Sequence, residues 1–439
     1  MGNRTATGRD DVRRTTYIKG LALAFSALFC LGMLAVPVSA EGAQAPQWQV
    51  GDSWAMGKAF DMGSNLSSTL HGMIGGIAGS GTLEQFGVAA NGSAWILFKV
   101  TEATTSEYRL EGKLAVKFNG EVHAKVSMLS PEPGTYPILG IKPTSQRTVG
   151  VDVVLNMALV VDTVTTFNHT FAVKNVAAEV KGTVIASVDL TNIPKATVSG
   201  SNVTWAYEDY HIRANVNVDV NLNLAFEPAL NIIEFPLNVG DAWRVNSTGT
   251  LTGSLSGNVD VQGLPANIEQ SIFENKTLQD LGITSFPVDL SKLSVPGSIN
   301  NGTLVPKTIP VNLDMHCTGN ETRTTPFYGL VTIYEVQVNG GQKFYYSDDV
   351  KFLTMFNATI PDTGGVLPSQ LAGMGLDMPA TSPATAEQQV NSIESYQNSL
   401  SNQGSGSNLG LDLAVVALIA IVAIAAIGVA VVVLVRRKK

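Results

Sequence analysis

Residues 215–226 read NVNVDVNLNLAF, a near-perfect alternation of polar and apolar side chains. Val216, Val218, Val220, Leu222, Leu224 and Phe226 fall on one side of an extended chain, and Asn215, Asn217, Asp219, Asn221 and Asn223 on the other. A helix cannot sort that period into two faces, whereas a strand with one buried and one wet face does. Residues 108–118 alternate likewise and run through Asn119-Gly120 into Val122, Ala124, Val126 and Met128, which predicts a hairpin turning at Asn119-Gly120. A second hairpin is expected where 328–338 meets Asn339-Gly340-Gly341 and returns through Phe344. Long strands with local connections predict a mainly β protein arranged as an antiparallel meander.

One block occurs twice. WQVGDSW at 48–54 is matched by FPLNVGDAW at 235–243, pairing Val50, Gly51, Asp52 and Trp54 with Val239, Gly240, Asp241 and Trp243. A weaker echo relates Trp205-Ala206-Tyr207-Glu208-Asp209 to Tyr345-Tyr346-Ser347-Asp348-Asp349. Repetition at this distance predicts a duplicated unit: two tandem curved antiparallel sheets, half-barrel or sandwich-like, with few helices. The duplicate also bears on Ser53. Its counterpart is Ala242, while Gly, Asp and Trp are kept, which favours a structural turn over a hydrolase nucleophile. Gly permits positive φ, Asp bonds the backbone of the turn, and Trp anchors the strand that follows.

After Trp243, residues 245–261 carry polar side chains at every even position and interleave Leu251 and Leu255 with Gly249, Gly253 and Gly257 on the other face. Glycine there allows sharp coiling or close approach by another element. Either the sheet closes on its own core, or Gly249, Leu251, Gly253, Leu255 and Gly257 form a candidate apolar-ligand face. A helix is expected near 267–281, between Pro265 and Gly282, filling the concavity of the second unit. Residues 67–82 are apolar but glycine-rich and read as a loop or flap. From 361 to 408 the composition shifts to Ser, Gln, Asn, Pro, Gly and Ala, which reads as a polar stalk with a helical turn or two at 384–400.

The termini predict export and anchoring. Arg and Lys in 1–19, an apolar run at 21–36 and Val38-Ser39-Ala40 form a secretory signal with cleavage after Ala40. The Arg13-Arg14 pair resembles a twin-arginine signal with one residue too many, and general secretion is the expected route. Residues 413–435 are apolar and end in Arg436-Arg437-Lys438-Lys439; at ~1.5 Å per residue they would span ~35 Å, enough for a bilayer. The expected order is a signal peptide at 1–40, β domains at 41–230 and 231–360, a stalk at 361–410, a transmembrane helix at 411–435 and a basic cytoplasmic tail at 436–439. That describes a single-pass type I protein of the cell membrane with an extracellular ectodomain. Nine sequons, at Asn65, Asn91, Asn168, Asn202, Asn246, Asn275, Asn301, Asn320 and Asn357, are candidate N-glycosylation sites.

Net charge −8 with no basic patch argues against a nucleic-acid partner. The histidines, His71, His123, His169, His211 and His316, show no metal-ligand spacing, and Cys317 continues the apolar face of IPVNLDMHC. Asp348-Asp349 and Glu208-Asp209 lack the spacing of a calcium loop. No cofactor, catalytic residue or metal ligand is assigned.

The repeated aromatic-x-VGD-x-W opening, the Gly/Thr/Ser strand and the aromatic-acidic block resemble uncharacterised archaeal cell-surface proteins with an N-terminal signal and a C-terminal membrane anchor. The domain pattern is also similar to half-barrel carriers of the LolA/LppX type. Those carriers are usually soluble or lipidated, so a permanent helical anchor departs from their pattern, and no functional residue transfers. The expected function is a non-enzymatic, glycosylated surface protein with a structural, adhesive or interaction role and an unknown protein, glycan or lipid partner. Alternatives are a tethered lipid or apolar-ligand binder and a surface hydrolase using Ser53.

Overall fold

The computed structural model describes residues 42–61, 63, 67, 82–275, 278–279, 281–295, 297–325, 328–353 and 382–403. The expected signal peptide, the apolar 411–435 segment, His71 and most of the 67–82 flap lie outside the described residues. Among the described residues no helix is long and apolar enough to cross a membrane.

The strands form one large antiparallel sheet. Its path runs through Ser53–Asp61 (β1), Thr82–Ala103 (β2), Glu107–Pro131 (β3), Thr144–Asn168 (β5), Val173–Ser199 (β6), Asn202–Leu230 (β7), Ala242–Gln262 (β8), Thr303–Thr325 (β11), Gly329–Val338 (β12), Gln342–Ser347 (β13) and Phe352–Leu353 (β14). Short strands attach at its flanks: Gly134–Pro137 (β4) to β7, Val288–Asp289 (β9) to β8, and Ile299–Asn300 (β10) to β11. β1 and β14 are the edges, so the sheet is open. The expected division into two tandem sheets gives way to continuity, because β7 and β8 pair from Arg213↔Gln262 to Glu227↔Thr248 across the expected boundary at 230/231. The alternation that marks β7 as a strand leaves its hydrogen-bonding edges free on both sides, and β8 takes the second one.

The hairpin expected at Asn119-Gly120 is also corrected. β3 runs straight through, with Asn119 opposite Asn91 of β2 and Asn156 of β5. Two long neighbours in register hold the backbone extended there, and the Asn119 amide donates to Asn156 Oδ1 at 2.7 Å instead of closing a turn. The hairpin at Asn339-Gly340 is present: β12 and β13 meet at Val338↔Gln342, with positive φ at Asn339 and Gly340.

Pairing continues the duplication beyond the repeated block. β1, β2, β3, β5 and β6 have counterparts in β8, β11, β12, β13 and β14. Register shifts fall between Val100 and Glu102 in β2 and between Cys317 and Gly319 in β11. The bulged residue is threonine in both copies, with Thr101 Oγ1 bonded to Glu111 and Thr318 Oγ1 to Glu335. Tyr108 pairs with Phe167 as Tyr334 pairs with Tyr346, and all four are buried.

Both copies feed one core. Trp48, Trp54, Phe98, Leu110, Phe167 and Phe171 of the first pack in the same cluster as Leu237, Met315, Ile333, Val336 and Tyr346 of the second. Polar bonds stitch the ends together: Trp48 Nε1 donates to Lys351 O (2.8 Å), Trp54 Nε1 to Val350 O (3.2 Å) and Tyr346 OH to Gln44 O (2.7 Å). Ala43 and Leu237 form an antiparallel bridge. The face that curls around this cluster is the inner face of the sheet.

Two helices complete the described chain. Ala266–Phe273 (α1) is shorter than expected. Its Ile272 packs with Val188, Leu190 and Ile212 and with Val261 of β8, so it covers β5–β7 as well as the first strand of the second unit. Within the segment expected as a stalk, where a helical turn or two was expected, Pro383–Gln403 (α2) is a longer helix, opened by Ser382, whose Oγ accepts Thr385 N, and by Pro383 in the first turn; the rest of 361–410 lies outside the described residues.

Candidate functional site

The two VGD-x-W turns have the same geometry. Gly51 and Gly240 sit at φ +99 and +97, a conformation L side chains rarely adopt. Asp52 Oδ2 accepts Gln49 N at 2.9 Å, and Asp241 Oδ2 accepts Asn238 N at 2.7 Å. Gly51 N donates to Val100 O and Val100 N to Asp52 O; Gly240 N donates to Cys317 O and Cys317 N to Asp241 O. Trp54 is buried and Trp243 half-buried, while Val50 and Val239 are exposed. Ser53 opens β1 opposite Lys99, a position that Ala242 fills in the second copy opposite His316.

The glycine-bearing face of β8 meets its neighbours closely. A Cβ on Gly253 would lie 2.3 Å from Asn221 O and one on Gly257 2.1 Å from Asn217 O, so backbone approach of β7 occupies the space that side chains would need. Gly249 lies under Leu224 and Phe226. Leu251 packs against the shared core, and Leu255 is covered by Leu290, Leu293, Val295 and Ile299. The chain's own residues thus cover much of the candidate ligand face.

Among the described residues, a different stretch of the inner face is less covered. Val116 and Phe118 of β3, Leu155, Met157 and Leu159 of β5, and Val184 of β6 are all half-buried and belong to none of the four buried clusters. They are direct neighbours, with Phe118 opposite Met157 and Met157 opposite Val184. The result is an apolar belt across three strands.

On the opposite, outer face lies α2. Ala386, Val390, Ile393, Gln397 and Leu400 are its buried residues, spaced 4, 3, 4 and 3 apart, a seam that suits one long contact. It packs on β1, β2, β3, β5 and β6 and therefore crosses the strands. Ala115, Ala158 and Val160 form its bed, with Trp95 and Ile185 alongside. Small alanines let the helix approach the sheet. Glu394 pairs with Lys113, which also bonds Asp162 at 3.1 Å. Burial pulls the Lys113 ammonium down, but its two carboxylate partners outweigh that and hold its pKa above the usual lysine value. Tyr396 OH accepts the Asn119 amide at 2.7 Å, and Lys117 Nζ stands 4.0 Å over the Tyr396 ring. The 4-3-4-3 spacing was the available sequence signal for this docking, masked by the Ser/Gln/Asn-rich composition around it.

The groups weighed for chemistry are engaged elsewhere. Cys317 is fully buried, and that burial pushes its thiol up to about 11, so it stays protonated at neutral pH. His316 beside it is exposed. Asp348 accepts Gln44 N, and Asp349 accepts Thr332 N at 2.8 Å. Glu208 is held below the usual carboxylate range by Lys195, at 2.6 Å, and by the Tyr210 hydroxyl, while Asp209 accepts Asn192 N. His123 and His211 bond Asp152 and Asp189, each at 2.6 Å, on exposed surface, and His169 bonds Thr104 O. Among the described residues no three His, Cys, Asp or Glu side chains are grouped to hold a metal ion.

Asn91, Asn202, Asn246, Asn275, Asn301 and Asn320 are exposed. Asn168 is half-buried, with its Oδ1 accepting Ala172 N inside a turn. Asn65 and Asn357 lie outside the described residues.

The fold and these faces define a mainly β protein built on one large open antiparallel sheet. No protein-family model, curated protein or solved structure matches the chain.

Proposed function

We propose that this is a membrane-anchored, glycosylated extracellular protein without catalytic activity, acting as a structural, adhesive or interaction module at the cell surface. The observation that carries the reading is α2. Only nine residues, 404–412, separate its end at Gln403 from the apolar segment at 413. A membrane span there would be coupled to the outer face of the sheet through a docked helix rather than through a loose stalk. The exposed sequons support a surface facing the extracellular side. The engagement of Asp52, Asp349, Glu208 and Cys317 in structural roles supports a non-enzymatic part.

Fractionation tests it. The full chain should resist carbonate extraction and be digested by protease added outside intact cells, and a chain ending at Gln403 should appear in the medium. Recovery of the full chain in the soluble cell fraction would overturn the reading.

A second reading is favoured by the apolar belt at Val116, Phe118, Leu155, Met157, Leu159 and Val184. Contiguous apolar surface of this kind is uncommon on a monomer and marks ligand or partner sites. In this reading the curled sheet is a half-barrel that holds a lipid or other apolar molecule along its inner face, as the resemblance to half-barrel carriers implies. Native mass spectrometry of the released chain should show an apolar mass lost on denaturation, and a clean apo mass would remove the reading.

A further inference from the structure

The connection from β3 to β5 carries an apolar apex. The chain leaves Pro131, runs out as β4 along residues 202–205 of β7, turns at Pro137–Gly140 and returns to Thr144 opposite Pro131. Beside it stands the tip of the β6–β7 hairpin at Ser199–Asn202, and Ile138 N donates to Ser201 O at 2.9 Å. Leu139 is 101% exposed and Ile141 96%, with Val198 and Ile138 also exposed around them. Four exposed aliphatics gathered at one end of the sheet are not the scattered surface hydrophobics of an ordinary monomer.

Their surroundings have a specific order. Residues 133–142 and 196–205, which build the apex, contain no Asp or Glu and a single charged residue, Lys142. Further from the tip comes an aromatic tier: Tyr136 lies opposite Val203, Trp205 opposite Gly134, and Tyr207 opposite Pro194. The Tyr207 hydroxyl donates to Pro131 O, and the Arg147 guanidinium lies 4.2 Å over its ring. Ion pairs begin only at that level, with Arg147–Glu132 and Lys195–Glu208. An aliphatic end, then Trp and Tyr, then charge is the sequence of chemistries met on leaving a bilayer's acyl region through its interface into water. Carboxylates are absent from the tip, and its one charge is the cation Lys142. An anionic or zwitterionic lipid surface favours that.

We propose that this apex, Ile138-Leu139-Gly140-Ile141 with Val198, inserts into the outer leaflet of a lipid bilayer, as a second contact independent of the C-terminal segment. The inference rests on the anchored reading only for the presence of a bilayer beside the chain. Asn202, whose sequon lies in the same tip, would then stay unmodified, because a glycan there would hold the apex out of the lipid.

The test uses the full chain from a glycosylating host, mixed with phosphatidylcholine vesicles containing nitroxide-labelled lipid. Flotation with the vesicles reports the anchor. An environment-sensitive fluorophore at Leu139→Cys reports the apex, with Val239→Cys as an exposed apolar control elsewhere. Buried Cys317 labels little, and the wild-type chain sets the background. The expected result is a blue-shifted probe at 139 quenched several-fold more strongly by shallow nitroxide lipid than the probe at 239. Glycopeptide analysis should find Asn202 bare. Adding Val198→Asp and Ile141→Asp to the labelled chain should abolish the quenching while flotation and thermal stability persist.

A floating chain whose 139 probe is as water-exposed as the 239 probe overturns the proposal while leaving the anchor intact. So does a 139 probe that is shielded but unquenched, which would mean contact with protein, or a glycan on Asn202. If the chain carrying the two aspartates fails to float, the anchored reading falls, and quenching at 139 in the chain without them decides the apex by itself.

Discussion

Gly257 and Gly240 both hold positive φ, yet for different reasons. At Gly257, φ is +121 and an added Cβ would strike the Asn217 carbonyl at 2.1 Å, so the residue is required by backbone angle and by strand approach together. At Gly240, φ is +97 but nothing lies within 4 Å of the added atom, so only the angle matters. Gly257→Ala should therefore cost about 3 kcal/mol or more, combining overpacking with strain, and Gly240→Ala about 1–2 kcal/mol. Urea denaturation of the two variants measures the difference, and equal losses would show that β7 can move away from β8. The repeated turn was readable at this scale because its chemistry is local: glycine for the angle, aspartate for the amide three residues back. The bulge threonines, Thr101 and Thr318, were not readable, because a bulge is defined by the partner strand and their flanking residues differ.

Among the elements, β7 was legible from its alternation, and the β12–β13 hairpin from Asn339-Gly340. Asn119-Gly120 carries the same dipeptide with the opposite outcome. Its neighbours β2 and β5 are long enough to hold it extended, and Tyr396 uses its amide. A local turn preference of a few tenths to one kcal/mol does not prevail against two full ladders. α2 was hidden by composition: its exposed faces are Ser, Gln and Asn, and only Ala386, Val390, Ile393 and Leu400 disclose the seam. Ile393→Asp would place a charge in the bed of Ala115, Ala158 and Val160 at a cost of ~3 kcal/mol or more. Hydrogen exchange should then show lost protection over 386–400 with β11–β13 unchanged. Protection retained in α2 would mean that the Glu394–Lys113 and Tyr396–Asn119 contacts hold it without the apolar seam.

For the molecule as a whole, the decisive feature is that both copies of the duplicated unit share one core and one sheet. Neither could be inferred from repeat spacing, since identical turns suit two separate domains as well as two halves joined edge to edge by β7 and β8. Equilibrium unfolding should follow a single transition by both near-UV and far-UV circular dichroism. Trp48→Ala should shift that one transition by about 3–5 kcal/mol, because Trp48 packs among Tyr108, Phe167 and Phe171 and bonds Lys351 of the second copy. Two separated transitions would restore the independent domains. The crossing of α2 over five strands also has a mechanical consequence. Tension arriving from the C-terminal side meets Gln403 first and peels the helix turn by turn instead of loading the strands together. Its 21 residues span ~32 Å wound and ~70 Å drawn out. Drawn out under such tension, the helix would release ~40 Å of chain.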